Sequence, residues 1–259
     1  MAPAELVPDG CAGRVLLVDA DDLLPTLPDG AFQLIYVDPP FNTGKTQARG
    51  ALKYADAFDD YLGFLGPKLE HLRRLLRADG TLYVHLDQRE AHYVKVALDT
   101  IFGRDAFLNE VIWAYDYGGR RADRWPQKHD TLLVYVKTPG GHFFDRDQID
   151  RVPYLAPGLV TPAKRERGKL PTDVWWNTIV PTNSREKTGY PTQKPEAILK
   201  RVIQASSAPG EVVFDCFAGS GTTGVVARSL GRRFLLADSN PEAIEVIRAR
   251  LGPTDVAYP

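Results

Sequence analysis

The chain has only two cysteines in 259 residues, Cys11 and Cys216. They lie far apart and without metal-ligand spacing, which excludes a disulfide framework and a cysteine metal site and suits a reducing cytoplasm. His129 likewise has no partner at ligand spacing and reads as structural, so no metal is expected. No stretch of about 18 apolar residues occurs and no charged and apolar leader opens the chain, so neither a membrane span nor a secretion signal is expected. A large charge of either sign is also missing, the net being −1. After the turn Ala218-Gly219-Ser220-Gly221 there is no Gly-Lys-Ser/Thr to hold a triphosphate, and the third glycine of the dinucleotide fingerprint is absent.

What is present is enough apolar material for a full core, 44% of the chain, and a pattern of strands alternating with helices. One α/β domain with an insertion is the expected organisation. Charge is unevenly spread: Asp116 to Arg201 holds 16 Lys and Arg against 10 Asp and Glu, whereas the remainder is net acidic. A basic middle in an acidic body is compatible with one side that faces nucleic acid.

The chain is organised around Asp38-Pro39-Pro40-Phe41. The run Phe32 to Val37 before it is apolar and β-favouring, so the tetrapeptide stands where a parallel strand ends, the edge at which open α/β sheets bind ligands. Consecutive prolines fix φ and supply no amide donors. The result is an acceptor-only rim, the Asp38 carboxylate and the Pro39 carbonyl, with the Phe41 ring beside it. Such a rim suits a flat ring that carries an amino group. Read alone, the same tetrapeptide is also a proline-stiffened strand exit with Asp38 capping a turn.

A second stretch, Val212-Val213-Phe214-Asp215-Cys216-Phe217-Ala218-Gly219-Ser220-Gly221-Thr222-Thr223, runs from an apolar strand through glycines into a helix, the layout of a nucleotide-type site at a βα turn. Together the two stretches resemble the amino-group DNA methyltransferases, which methylate N6 of adenine or N4 of cytosine. A third match, Pro191-Thr192-Gln193-Lys194-Pro195, precedes the glycine motif as it does in the β-type permuted subgroup, with Tyr190 replacing the usual His. The resemblance covers nearly the whole chain outside roughly Tyr117 to Thr188.

The resemblance implies a Rossmann-like methyltransferase fold: an α/β sheet, mostly parallel with an antiparallel corner, circularly permuted so that the catalytic half comes first. Residues 1–116 are then the catalytic half, 117–189 a basic insertion for target recognition, and 190–259 the cofactor-binding half. S-adenosylmethionine is the implied cofactor and Asp38, Pro39, Pro40 and Phe41 the implied catalytic motif. Phe217, Gly219, Gly221, Asp215, Thr222 and Thr223 make up the implied cofactor turn, and Asp19 is carried over as a neighbour of the cofactor's adenine. Asp238, at the exit of the strand Arg233 to Ala237, is placed to take ribose hydroxyls. Lys194 can pair with the cofactor's carboxylate, or be a surface lysine that opens the next helix. Permutation places the two termini on one flank.

Arg120, Arg121, Arg124 and Lys128, grouped with glycines and Trp125, form a plausible phosphate-contacting loop or a solvated turn. Lys164, Arg165 and Arg167 form a basic run expected to be mobile without DNA. Trp175 and Trp176 are candidates for stacking on DNA, or for local burial of at least one. Asn42 to Ala55 reads as a long mobile loop beside the rim, with Lys45 and Arg49 near phosphates or merely solvated. Asp87 is expected to cap the helix Arg89 to Phe102. In Tyr61 to Leu76 an apolar helical face recurs, with Pro67 bending the helix or marking its start and Asp79-Gly80 ending it.

The expected activity is methyl transfer to adenine N6 in duplex DNA by base flipping and in-line attack, in a cytoplasmic, nucleoid-associated protein of a bacterium, archaeon or phage. Cytosine N4 is the alternative target. Cytosine C5 is disfavoured because carbon needs a covalent thiolate and no Pro-Cys motif exists. A catalytically inactive DNA-binding relative, or transfer to RNA or a protein amide, are the rival readings. A cognate restriction endonuclease and a homodimer are the further partners that the resemblance admits.

Overall fold

The computed structural model describes residues 6–49 and 52–259, with side chains at all of these except 46–49 and 52–55. Residues with β-favouring, wholly buried runs form the middle of a sheet: β2 (Phe32–Val37) is buried at every position. Around it stand β1 (Gly13–Leu17), β5 (Leu76–Leu86), β6 (Phe107–Ala114), β7 (His129–Val136), β8 (Val174–Trp176), β9 (Val212–Asp215), β10 (Arg233–Asp238) and β11 (Val256–Ala257) in the order β11-β1-β10-β9-β2-β5-β7-β6-β8. From β11 to β5 all neighbours are parallel, while β7 runs antiparallel to both β5 and β6. This is the mostly parallel sheet with an antiparallel corner.

Helices cover both faces because their apolar stripes have nowhere else to go. On one face α2 (Tyr61–Leu75) buries Leu65, Leu69, Leu72 and Leu75, and α3 (Ala91–Phe102) buries Val94 and Leu98. Leu62, on the expected apolar face of α2, is 38% exposed. On the other face lie Ile198, Leu199, Val202 and Ile203 of α5 (Glu196–Ser206), Val226 of α6 (Thr222–Ser229), and Ile244 and Ile247 of α7 (Pro241–Leu251). A short helix, α1 (Ala20–Leu23), follows β1. β11 pairs with β1 through Gly13 and Val256, so the described chain ends share one flank.

Several local expectations change. Pro67 lies inside α2, neither starting nor ending it. β5 begins at Leu76 straight after that helix, so Asp79-Gly80 belongs to the strand at an irregularity in its register with β2. Glycine is required there, because a Cβ on Gly80 would stand 2.9 Å from the Phe32 carbonyl oxygen. Asp87 does not cap α3; it accepts from the Arg89 amide at 2.8 Å in the turn before the helix.

Asn42 to Ala55 is not a structureless loop but carries an antiparallel hairpin, β3 (Lys45–Arg49) with β4 (Leu52–Asp56). Its base is closed by the buried Asp56, which accepts from the Asn42 amide at 2.7 Å and from Thr43 Oγ1. Lys45 is exposed, and the side chain of Arg49 lies outside the described residues. The segment 117–189, expected as a basic insertion for target recognition, supplies β7 and β8 to the same sheet. Its basic run forms a short exposed helix, α4 (Pro162–Arg167), because Thr161 Oγ1 caps the amino end and Gly168, at φ 75°, ends it.

Candidate active site

Parallel pairing brings the carboxyl ends of β1, β2, β9 and β10 to one rim of the sheet, with Leu17 level with Asp238 and Leu236 level with Asp215. Strand order reverses between β9 and β2, the point where a crevice opens in such sheets. Asp19, Asp38, Asp215 and Asp238 therefore line one cavity of about 400 Å³, together with Pro39, Pro40, Phe41, Phe217, Gly219, Thr222, Thr223 and Lys194. Motifs from opposite halves of the chain thus meet at one site.

The Asp38 side is braced from below and behind. Tyr61 donates its hydroxyl to the Pro40 carbonyl at 2.6 Å. Burial and nearby carboxylates, Glu90 first among them, push the Tyr61 phenol far up, so it stays a donor. After Phe41 the chain turns at Asn42 (φ 55°), a conformation that Asn tolerates. The Asn42 amide nitrogen Nδ2 donates to Glu90 at 2.7 Å, and its Oδ1 accepts from the Phe58 amide at 2.8 Å.

Behind the rim runs a buried polar chain that sequence reading missed. Tyr36 bonds His85 Nδ1 at 2.7 Å, His85 Nε2 lies 3.3 Å from Asp130, and Tyr115 donates to Asp130 at 2.9 Å. Burial raises the Tyr36 phenol well above its ordinary value, and the charge of Asp38 adds to this. Burial pushes Asp130 up as well, but its bonds to His85 and Tyr115 and the charge of Lys194 hold its carboxyl below the usual range. Phe41 packs 5.9 Å from the His85 ring. The one sequence signal was polarity at the ends of apolar runs, His85 after Leu82-Tyr83-Val84 and Asp130 shortly before Leu132 to Val136.

On the opposite wall, Gly219 and Gly221 adopt φ 50° and 74°. A Cβ on Gly219 would meet Tyr190 at 3.2 Å, and one on Gly221 would meet Ile247 at 2.8 Å. Only glycine gives this close, left-handed turn without strain. Asp215 holds the turn from inside: it accepts from the Phe217 amide at 2.9 Å and from Thr223 Oγ1 at 2.6 Å. Burial raises its carboxyl to about 7 despite those bonds. Asp238 accepts from the Gly219 and Asn240 amides at 2.8 and 2.9 Å, and burial raises it too. Each of its oxygens keeps lone-pair capacity for a hydroxyl. Asp19 caps α1 by accepting from the Asp21 amide at 2.9 Å. Phe58, Phe64, Lys68 and Tyr190 also line the cavity and had no assigned role.

Lys194 departs from expectation. It is not a surface lysine: it is buried, lines the cavity and bonds both Asp38 oxygens, at 2.8 and 2.6 Å. Of the candidate DNA contacts, Arg121 and Arg124 both pair with the exposed Asp123, and Lys128 donates to the Gly118 carbonyl at 3.1 Å. Arg120 is exposed, as are Lys164, Arg165 and Arg167 on α4. Trp175 is buried while its neighbour Trp176 is 75% exposed and Trp125 is 94% exposed. Among the described residues no helix is long and apolar enough to cross a membrane, and no cluster of three or more His, Cys, Asp or Glu could hold a metal.

The DNA methylase family model for N6 and N4 enzymes matches residues 32–249. The type II methyltransferase M.HpaI of Haemophilus parainfluenzae is 33% identical over 238 residues, 92% of this chain and 74% of its own length. The DNA adenine methyltransferase YhdJ of Escherichia coli is 31% identical, over 93% of this chain and 83% of its own length. Among solved structures, the cytosine-N4-specific PvuII DNA methyltransferase superposes with a TM-score of 0.70 at 17% identity, covering 95% of this chain and 90% of its own. The M1.HpyAVI–SAM complex gives 0.65 at 20% identity, over 93% of this chain and 100% of its own. The fold is therefore the Rossmann-like one of these enzymes, and the chain belongs to the S-adenosylmethionine-dependent amino-group DNA methyltransferases.

Proposed function

We propose that the protein methylates the exocyclic N6 of adenine in duplex DNA. The observation that carries this reading is that the Asp38–Phe41 rim and the Gly219–Asp238 wall line a single cavity. S-adenosylmethionine, when bound, supplies a methyl group on an electrophilic sulfonium. The residues of the wall fit it: glycines where a Cβ would collide, a half-buried Asp238 with spare acceptor capacity for ribose hydroxyls, and Phe217 beside them. Gly221, Thr222 and Thr223 shape the turn, Asp215 holds it, and Asp19 is the acceptor nearest in chain order for the adenine amine.

An aromatic amine is a poor nucleophile because its lone pair is delocalised into the ring. Asp38 and the Pro39 carbonyl accept its two hydrogens and so favour the pyramidal, increasingly positive nitrogen of the transition state, an effect worth about 3 kcal/mol or more in a preorganised site. Phe41 offers the base a face to stack on. The target is buried in the duplex, so it must be extruded at a cost of a few kcal/mol, offset by these contacts. Arg120, Arg121, Arg124, Lys128, Lys164, Arg165 and Arg167, within 117–189, are the proposed phosphate contacts of the recognition face, in a protein that works on the DNA of the cytoplasm.

The similarity to a protein named as an adenine methyltransferase favours N6. The same rim can take the N4 amine of cytosine, the target named for one neighbour in fold. Mass spectrometry of nucleosides from DNA of cells expressing the protein separates the two. N6-methyladenine is expected; N4-methylcytosine without N6-methyladenine would overturn the choice of base.

A further inference from the structure

Two of the groups that the rim offers to a base, the Asp38 carboxylate and the Phe41 ring, are already engaged by the protein itself. Lys194 Nζ lies 2.8 and 2.6 Å from the two oxygens of Asp38 and 4.6 Å from the centre of the Phe41 ring. A charged nitrogen on this carboxylate and over this ring face makes the contacts that an extruded amine would make. The placement is built rather than incidental. Lys194 is 9% exposed, its carbonyl accepts from Thr222 Oγ1 at 3.1 Å, and Thr222 in turn takes Arg250 at 2.9 Å, so its backbone is tied to the start of the cofactor-side helix. The other cation that lines the cavity, Lys68, is held away by Asp21 at 2.7 Å and by the Phe64 carbonyl at 2.9 Å.

We propose that Lys194 is a resident substitute for the target amine and thereby a specificity-determining residue of the methyl transfer. Its ammonium fills the Asp38–Phe41 rim in the free enzyme, and a base enters by displacing it. Separating a largely buried ion pair is costly unless a new donor takes the vacated acceptor. A base with an exocyclic amino group supplies that donor, whereas one without it leaves Asp38 bare and gains no hold. Rejection is thus built into the free site, in addition to attraction for the correct base. This inference rests on the amine-transfer reading, and it holds for adenine or cytosine alike.

Sinefungin provides the test, because it carries an amine where S-adenosylmethionine carries its methyl sulfonium, and so presents a cation to Asp38. S-adenosylhomocysteine has neither and serves as reference. Calorimetry of both ligands on the full chain gives the ratio of their affinities. In Lys194→Met the ratio should shift toward sinefungin by at least about tenfold, because a like charge is removed and Asp38 is freed. Lys194→Arg should keep the wild-type ratio. Asp38→Asn, which leaves the Lys194 charge unopposed, should shift the ratio the other way. A lysine that merely supports the fold would weaken both ligands together, so an unchanged ratio in Lys194→Met and Asp38→Asn overturns the proposal. No DNA is used, so failure here is distinct from failure of the amine reading, which nucleoside analysis reports.

Discussion

At the scale of single residues, Gly221 makes the sharpest demand. Its φ of 74° and the 2.8 Å approach of Ile247 penalise any side chain, so Gly221→Ala should cost about 1–3 kcal/mol of stability by backbone strain and crowding. It should also weaken S-adenosylhomocysteine binding, and a calorimetric affinity equal to wild type would contradict its proposed role in the cofactor turn. Asp38 between a buried strand and two prolines, Gly219 and Gly221 in a strand-to-helix turn, and Asp238 at the next strand exit were readable as residues of one sheet edge, because residue type and local order dictate that placement. Lys194 was readable as a candidate but not as Asp38's partner, since 156 positions separate the two and no local pattern links them. Tyr36, His85 and Asp130 were hidden because they lie in the buried parts of three different strands, where no local pattern marks a polar contact between strands.

At the scale of elements, strong periodicity was readable and locally satisfied polarity was not. α2 and the buried strand β2 declared themselves through their apolar residues. The β3–β4 pair did not, because the bonds that close its base are polar: Asp56 accepts from the Asn42 amide, and Asn42 accepts from the Phe58 amide. α4 was masked in the same way: its residues are exposed, and only Thr161 and Gly168 mark its ends. This small helix carries Lys164, Arg165 and Arg167, all exposed, and Arg165 and Arg167 are the clean probes of the proposed recognition face. Replacing both by Ala should lower duplex affinity and reduce the slope of log K against log salt by about 0.9 for each phosphate that is no longer neutralised. Filter or fluorescence titrations across salt concentrations read this out, and an unchanged slope would place α4 off the DNA.

At the scale of the whole molecule, the permuted order and the burial of acids at one sheet edge set both stability and function. The order was legible from three motifs in sequence, and its physical cause is visible in β11 lying against β1. The burial cost was not legible, because the sequence shows an acid but not its surroundings. Asp215 keeps its proton up to about 7 in the folded protein against 3.8 ordinarily. Its contribution to stability is thus fully present below the unfolded value and is lost as pH rises through about 7, on the order of 4 kcal/mol in all. Asp215→Asn, neutral throughout, should gain on the wild type as denaturation is repeated from about pH 5 to about pH 8; parallel curves would contradict a buried, protonated Asp215.

The proposed catalysis depends on a carboxylate that grips an amine opposite a methyl donor, and transfer of radiolabelled methyl groups to duplex DNA by Asp38→Ala tests that dependence most directly. Turnover should fall by at least about a thousandfold at saturating cofactor. Turnover within about tenfold of wild type would contradict it, since a lost charge-stabilising acceptor cannot be that cheap.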